Sequence, residues 1–151
     1  MDPTEAPGHL ARRFQQIAVA VFHAEAEAAG CDLTPVQYAA LTRIAAEPGL
    51  DQATLAGQIA YDRTTIGGVV DRLVEKELVA REISARDRRA RELRITDAGK
   101  DMLKRIAPAV AETQRVLLSG LSEKEAAQFM KLLKKAILAL NDLSRAPMRE
   151  I

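Results

Sequence analysis

Between Asp51 and Thr96 the chain reads DQATLAGQIAYDRTTIGGVVDRLVEKELVAREISARDRRARELRIT, and the hydrophobic period changes part-way along. Up to Lys76 apolar residues recur at helical spacing. Leu55, Ala56 and Ile59 form one short run, and Ile66, Val69, Val70 and Leu73 follow at i, i+3, i+4 and i+7. From Leu78 the segments LVAREIS and ARELRIT alternate in the manner of strands, joined by the polar tip Ala85-Arg86-Asp87-Arg88-Arg89. Two short helices followed by a hairpin with an arginine-packed tip is a narrow specification. It is the order of a winged helix-turn-helix, which offers nucleic acid a helix for the major groove and a charged loop beside it.

The flanks read as helices. Residues 1–8 hold two prolines and a glycine and are expected to form a loose arm. From His9 to about Ala29, Leu10, Phe14, Ile17 and Val21 keep a helical spacing, and Gly30 is the expected stop. Thr34 is placed to cap a second helix, with Pro35 at its first position and Gln37 completing a capping box; Pro48-Gly49 ends it. Asp51 and Asp62 cap the two short helices, the second running from Arg63 to about Lys76. Thr96 opens a long fifth helix that Pro108 is expected to bend and that ends near Ser119-Gly120. Ser122 and Glu125 form a capping box for the last helix, which lines up Phe129, Leu132, Leu133, Ala136, Ile137 and Leu140. The expected architecture is mainly α (α+β), a single domain over 1–151. A winged helix-turn-helix lobe spans 34–96, and 9–29 and 97–143 supply dimerisation helices. A twin chain covering the terminal stripes, with two-fold symmetry, is the simplest way to bury them. The other way is for the first, fifth and sixth helices to bury one another.

Charge decides what the lobe can hold. The net charge is only +1, so the chain is no polycation, and any case for nucleic acid rests on where the charge sits. Arg81, Arg86, Arg88, Arg89, Arg91 and Arg94 crowd one stretch, whereas Cys31 to Tyr61 holds one basic residue, Arg43. A single cysteine excludes an internal disulfide, the first residues lack the apolar run of a signal peptide, and no uncharged apolar run approaches the roughly 18 residues that span a bilayer. A cytoplasmic protein without membrane association is expected. With 3% aromatics, the core must be aliphatic.

The fourth helix is the candidate reader. Its first turns carry Arg63, Thr64, Thr65, Gly67 and Gly68. Each glycine in a helix interior costs about 1 kcal/mol relative to Ala, which makes sense where another surface must approach closely; packing of Gly68 on the third helix is the other explanation. Threonine offers a hydroxyl and a methyl to base edges, Arg72 can reach a phosphate, and the wing arginines suit a narrow minor groove. Asp87, beside Arg88 and Arg89, repels phosphate unless it pairs with an arginine and fixes its direction. The plain alternative for the tip is a solvated charged loop.

The segments LTPVQYAAL, PGLDQATLAGQIAYDRTTIGGVVDRLVEKELV and ARDRRARELRITDAGK closely resemble the multiple-antibiotic-resistance regulator (MarR) family, over about residues 9–140. The resemblance implies a triangular homodimer, joined by the terminal helices, that binds double-stranded DNA at an inverted-repeat operator and, as a repressor, answers to a small molecule. By position it puts Thr64, Thr65 and Gly68 on the reading face, Arg72 on a backbone contact, Arg89 in the minor groove and Asp87 as the acid that orients it, with Arg63, Arg86 and Arg88 beside them. Two departures stand out: Glu77 replaces the family's usual glycine, so the helix-to-strand turn is expected to differ, and the tip SARDRRA has its own loop shape.

In the family, effectors bind between the dimer helices and the DNA-binding lobe. Here HLARRFQQIAVAVFH puts His9, Arg13 and Gln16 near an apolar stripe, a setting that suits an aromatic carboxylate or its CoA thioester; Tyr38 is a further candidate. Solvated groups or dimer salt bridges are the bland alternative for these residues. Cys31 admits an oxidant-sensing alternative, although it follows the first helix and has no basic neighbour in sequence. A winged-helix protein-interaction module without DNA binding is another. An enzyme is not expected: the two histidines, His9 and His23, lie on one helix about 21 Å apart, and no metal-ligand spacing, phosphate loop or nucleophile elbow is present. No cofactor or metal is expected.

Overall fold

The computed structural model describes residues 2–149; Met1, Glu150 and Ile151, which fall in the expected domain and arm, lie outside the described residues. Six helices and a small sheet follow one another as α1 (Pro7–Ala28), α2 (Pro35–Ala46), β1 (Leu50–Asp51), α3 (Gln52–Gln58), α4 (Arg63–Glu75), β2 (Val79–Ile83), β3 (Arg91–Ile95), α5 (Asp97–Leu118) and α6 (Glu123–Ala139). The caps expected from sequence all form. Thr34 and Gln37 close a capping box on α2, Ser122 and Glu125 another on α6, and Asp51, Asp62 and Thr96 accept the amides of Thr54, Thr65 and Gly99. The first residues are a correction. Asp2 caps a single 3-10 turn, Pro3–Glu5, and α1 already begins at Pro7, because a proline at the first helical position gives up no hydrogen bond and has the required φ. α5 continues through Pro108 as one helix.

Helices α1, α3 and α4 end alike. Past each, one residue turns left-handed: Gly30 at φ 68°, Ala60 at 57° and Glu77 at 60°. The next amide then bonds back five residues, Cys31 to Ala26, Tyr61 to Ala56 and Leu78 to Leu73, at 2.8–3.0 Å. At Glu77 the turn therefore keeps the left-handed shape that glycine would favour, so the departure from glycine alters strain and not geometry. Buried Leu73 and Leu78 stand at the two ends of that last bond.

The sheet order is β1-β3-β2, all antiparallel, with Leu50 opposite Leu93 and Arg81 opposite Leu93 on the other side. The two-residue β1 was not foreseen; its only signal is Leu50, which becomes buried against a strand more than forty positions away. Leu41 and Ile44 of α2, Leu55 of α3, Ile66, Val70 and Leu73 of α4, Leu93 of β3 and Ile106 of α5 are essentially inaccessible and form one aliphatic core.

α1 and α5 pack lengthwise, burying Phe22 and Ala26 with Ile106, Ala109 and Thr113. α6 buries none of its side chains. It meets α1 through an edge-to-face contact of Phe129 with Phe14, ring centroids 5.4 Å apart. Leu132, Ile137, Leu138 and Leu140 stay 54–61% exposed, so the three terminal helices do not bury one another within one chain.

Two substitutions should move stability in opposite directions. Glu77→Gly relieves a left-handed non-glycine residue and should raise unfolding stability by about 0.5–1 kcal/mol. Gly99→Ala puts a Cβ 2.3 Å from the Leu78 carbonyl oxygen and 2.6 Å from Ile95 Cγ1, and should lower it by about 1–3 kcal/mol. Urea denaturation of both variants checks the pair.

Candidate nucleic-acid interface

The reading helix is fixed from below and from both ends. Ile66, Val69, Val70 and Leu73 bury its inner face. At its start, Asp62 accepts the Thr65 amide at 2.8 Å and the Thr65 hydroxyl at 3.1 Å. Those two bonds, with a smaller contribution from the charge of Arg145, hold the Asp62 carboxyl below its ordinary pKa. At the far end Lys76 Nζ donates to the Asp32 carbonyl at 2.5 Å and to Gln37 Oε1 at 3.2 Å, tying α4 to the start of α2. Arg43 donates to Glu47 and Gln58, at 2.5 and 3.0 Å, and joins α2 to α3. Burial pushes the Asp51 carboxyl up, but the Thr54 hydroxyl and amide outweigh it and hold that group below its ordinary pKa.

The outward face then follows. Arg63, Thr64, Thr65 and Gly68 are exposed on the first turns. A Cβ at Gly68 would meet nothing within 4 Å, so packing on α3 is not the reason for that glycine. Gly67 is the one that faces α3: a Cβ there would lie 3.6 Å from Gln52 Nε2. The Thr65 hydroxyl is committed to Asp62. Arg72 is exposed and pairs with Glu75 at 3.3 Å.

The wing is a built loop. The buried Ser84 hydroxyl accepts the amides of Arg86 and Asp87 at 3.2 and 3.3 Å, and the Ser84 amide donates to the Ala90 carbonyl at 3.1 Å. Asp87 accepts the Arg89 amide at 3.0 Å. The carboxylate thus holds the backbone of the residue it is expected to orient; among the described residues no guanidinium pairs with it, and Arg86, Arg88 and Arg89 stand exposed. Arg81 of β2 and Asp71 of α4 pair at 2.7 Å, fastening wing to helix. Between the two lies a cleft of about 480 Å³ lined by Asp51, Gln52, Ala53, Arg63, Ile66, Asp87, Arg89, Ala90 and Arg91. Gln52 Oε1 is buried there without a hydrogen-bond partner. Sequence reasoning missed Ser84 and Gln52, and counted Arg91 only among the crowded arginines. Of the two missed, only Ser84 had a local signal, a hydroxyl just before a charged tip.

The four effector candidates do not share one cavity. Arg13 flanks an apolar groove of about 440 Å³ between α1 and α6, walled by Leu10, Phe14, Ile17, Phe129 and Leu133. Gln16 accepts a hydrogen bond from Arg13 at 3.4 Å, and His9 lies 3.2 Å from Arg12. Tyr38 sits by Phe22, ring centroids 6.0 Å apart. A separate crevice of about 120 Å³, where α1, α2 and α5 meet, is lined by Gln15, Phe22, Pro35, Thr113 and Gln114 among others.

The sequence model of the MarR family matches residues 33–90, which hold the lobe through the wing tip. The HTH-type transcriptional repressor NicR of Pseudomonas putida is 32% identical over 138 residues, covering 90% of this chain and 85% of its own. The chain belongs to the MarR family. Among solved MarR-type structures, the PcaV transcriptional regulator of Streptomyces coelicolor, in complex with its natural ligand, superposes with a TM-score of 0.83 at 35% identity, covering 92% of this chain and 96% of that one. Bordetella bronchiseptica BpsR, whose DNA binding is regulated by 6-hydroxynicotinic acid, gives 0.83 at 26% identity over 90% and 96%. The MarR-type lobe is present here with its left-handed turn kept at Glu77 and its wing tip stapled by Ser84 and Asp87.

Ser84→Ala tests the staple. It removes an acceptor from two amides and should speed hydrogen exchange at Arg86 and Asp87 several-fold, with a loss of about 0.5–1.5 kcal/mol in stability. Unchanged exchange at both would show that the hydroxyl does not hold the tip.

Proposed function

We propose that this chain is a homodimeric transcriptional repressor that binds an inverted-repeat operator and is released by a small aromatic acid or its CoA thioester. The observation that carries the reading is the juxtaposition of two rigid elements. A helix whose exposed first turns hold Arg63, Thr64, Thr65 and Gly68 stands beside a stapled loop presenting Arg86, Arg88 and Arg89, with a cleft between them. Such a surface fits a helix in the major groove with an arginine in the adjoining minor groove, and Arg72 on a phosphate. Gly68, open to solvent, lets backbone approach base edges closely. NicR, a repressor, and BpsR, whose DNA binding answers to 6-hydroxynicotinic acid, support repression under ligand control.

A second copy is the natural cover for α6. Fully burying one large aliphatic side chain is worth about 1.5–3 kcal/mol, and Leu132, Ile137 and Leu138 of α6, with Leu140 just past its end, stand in water here. Two lobes held by joined α1, α5 and α6 helices would meet successive major grooves if their reading helices stand about 34–36 Å apart. A ligand that prefers a different separation releases the DNA. Arg13, on the rim of the α1–α6 groove, supplies a cation for a carboxylate and the groove an apolar wall for a ring; His9, Gln16 and Tyr38 complete the proposed effector set. Oxidant sensing through Cys31 fits less well: the thiol is 5% exposed and points to the Ala29 carbonyl at 3.6 Å. Among the described residues no helix is long and apolar enough to cross a membrane.

Gel-shift titration against a duplex selected from a randomised library tests the DNA reading. Affinity should fall steeply as salt rises, and Arg89→Ala should weaken binding roughly tenfold or more while light scattering still reports a dimer. A flat salt response, or no preferred duplex, would sink it. Aromatic acids and their CoA thioesters should raise the melting temperature and release the duplex, and Arg13→Ala should abolish both responses; retention of both would remove Arg13 from the effector site.

A further inference from the structure

Past α6 the chain does not simply end. A 3-10 turn, Asn141–Leu143, is followed by a segment that returns to the helix-turn-helix. The Asn141 side chain accepts the Met148 amide and donates to the Met148 carbonyl, both at 2.9 Å, and so closes residues 141–148 into a loop of defined shape. Two contacts then reach the lobe. The Arg145 guanidinium pairs with Asp62 at 3.2 Å, and the Arg149 amide donates to the Gly57 carbonyl at 2.8 Å. The Arg149 stem lies so close over α3 that a Cβ at Gly57 would come within 3.0–3.1 Å of its Cγ and Cβ.

Both landing points matter for the reading helix. Asp62 is its N-cap, and Gly57 lies in α3, whose C-terminal turn leads directly into it. The arm that leaves α6 therefore grips the turn between α3 and α4. We propose that Asn141, Arg145 and Arg149 are positioning residues. They tie α6 to the start of the reading helix, so that the separation set by the terminal helices reaches α4 through this arm as well as through the core. The inference rests on the DNA-binding reading for its purpose, but the tether itself is a property of the free protein. It also gives Gly57 a reason: a glycine inside a seven-residue helix is unfavourable relative to alanine and is explained by the close passage of the arm.

Two variants of the full chain attack the arm from opposite sides. Arg145→Ala removes its charge contact. Gly57→Ala leaves the arm's sequence intact and favours helix, yet obstructs the seat of Arg149. Hydrogen exchange in the free protein should become several-fold faster at Thr65 and Ile66 in both variants, and Arg145→Lys should restore the native rate. Unchanged exchange in both would overturn the tether. Binding is then compared on a duplex selected by the native protein from a randomised library, and on the same duplex with one base pair inserted at its centre. Both variants should lose about tenfold on the selected duplex and less on the lengthened one, so that the preference between them narrows at least threefold at an unchanged salt slope. A salt slope reduced by about one with the preference intact would make Arg145 an ordinary phosphate contact and overturn the proposal. If the native protein selects no duplex, the DNA-binding reading fails by itself, and the exchange rates alone decide the arm.

Discussion

Ile66, Val69, Val70 and Leu73, each 8% exposed or less, set the rotation of α4 about its own axis. Burial of four such side chains is worth several kcal/mol. A helix turned by one residue, about 100°, would put Thr65 and Gly68, or Gly67 and Asp71, toward the core and buried aliphatic side chains into water. The interface is thus defined from its hidden side. Asp62 at the start and Lys76 at the end fix where the helix begins and how it meets α2, while Arg81 and Asp71 bring the wing into register with it. The proposed chemistry toward DNA depends on those unexposed or inward-directed contacts.

How much of this was legible in advance depended on how local the cause was. Caps at Thr34, Asp51, Asp62, Thr96 and Ser122 involve partners three residues away, and all five could be read from spacing alone. The stripe of α4 was equally plain. Features with distant causes were not. Leu50 becomes a strand residue only because Leu93 lies opposite, and the return of the chain onto Gly57 and Asp62 leaves no pattern in its own segment. For Asp87, sequence suggests a charge partner, and the loop adds the nearby amide of Arg89. At Glu77 the turn is expected to differ for want of a glycine, yet the residue takes the left-handed conformation all the same. The hydrogen bonds of Glu77 to Val74 and of Leu78 to Leu73 hold the turn against the strain.

The charge distribution has the same economy. With a net charge of +1, attraction to a polyanion cannot come from the chain as a whole. It comes from a loop whose backbone is pinned by one hydroxyl and one carboxylate, leaving three guanidinium groups outward. Pinning costs no charge, since Ser84 is neutral and Asp87 serves an amide, so the arginines are not held in ion pairs with it.

The uncovered face of α6 makes abundance a structural variable. A newly made chain carries Leu132, Ile137, Leu138 and Leu140 in water until something apolar meets them, and mass action decides how soon that happens. At low copy number the helix stays bare and is open to proteases and to any related chain with a similar stripe. At higher copy number it is covered and protected. The lifetime of the protein, and the purity of its pairing where several such chains are made together, would then be set by the same surface that joins its two halves.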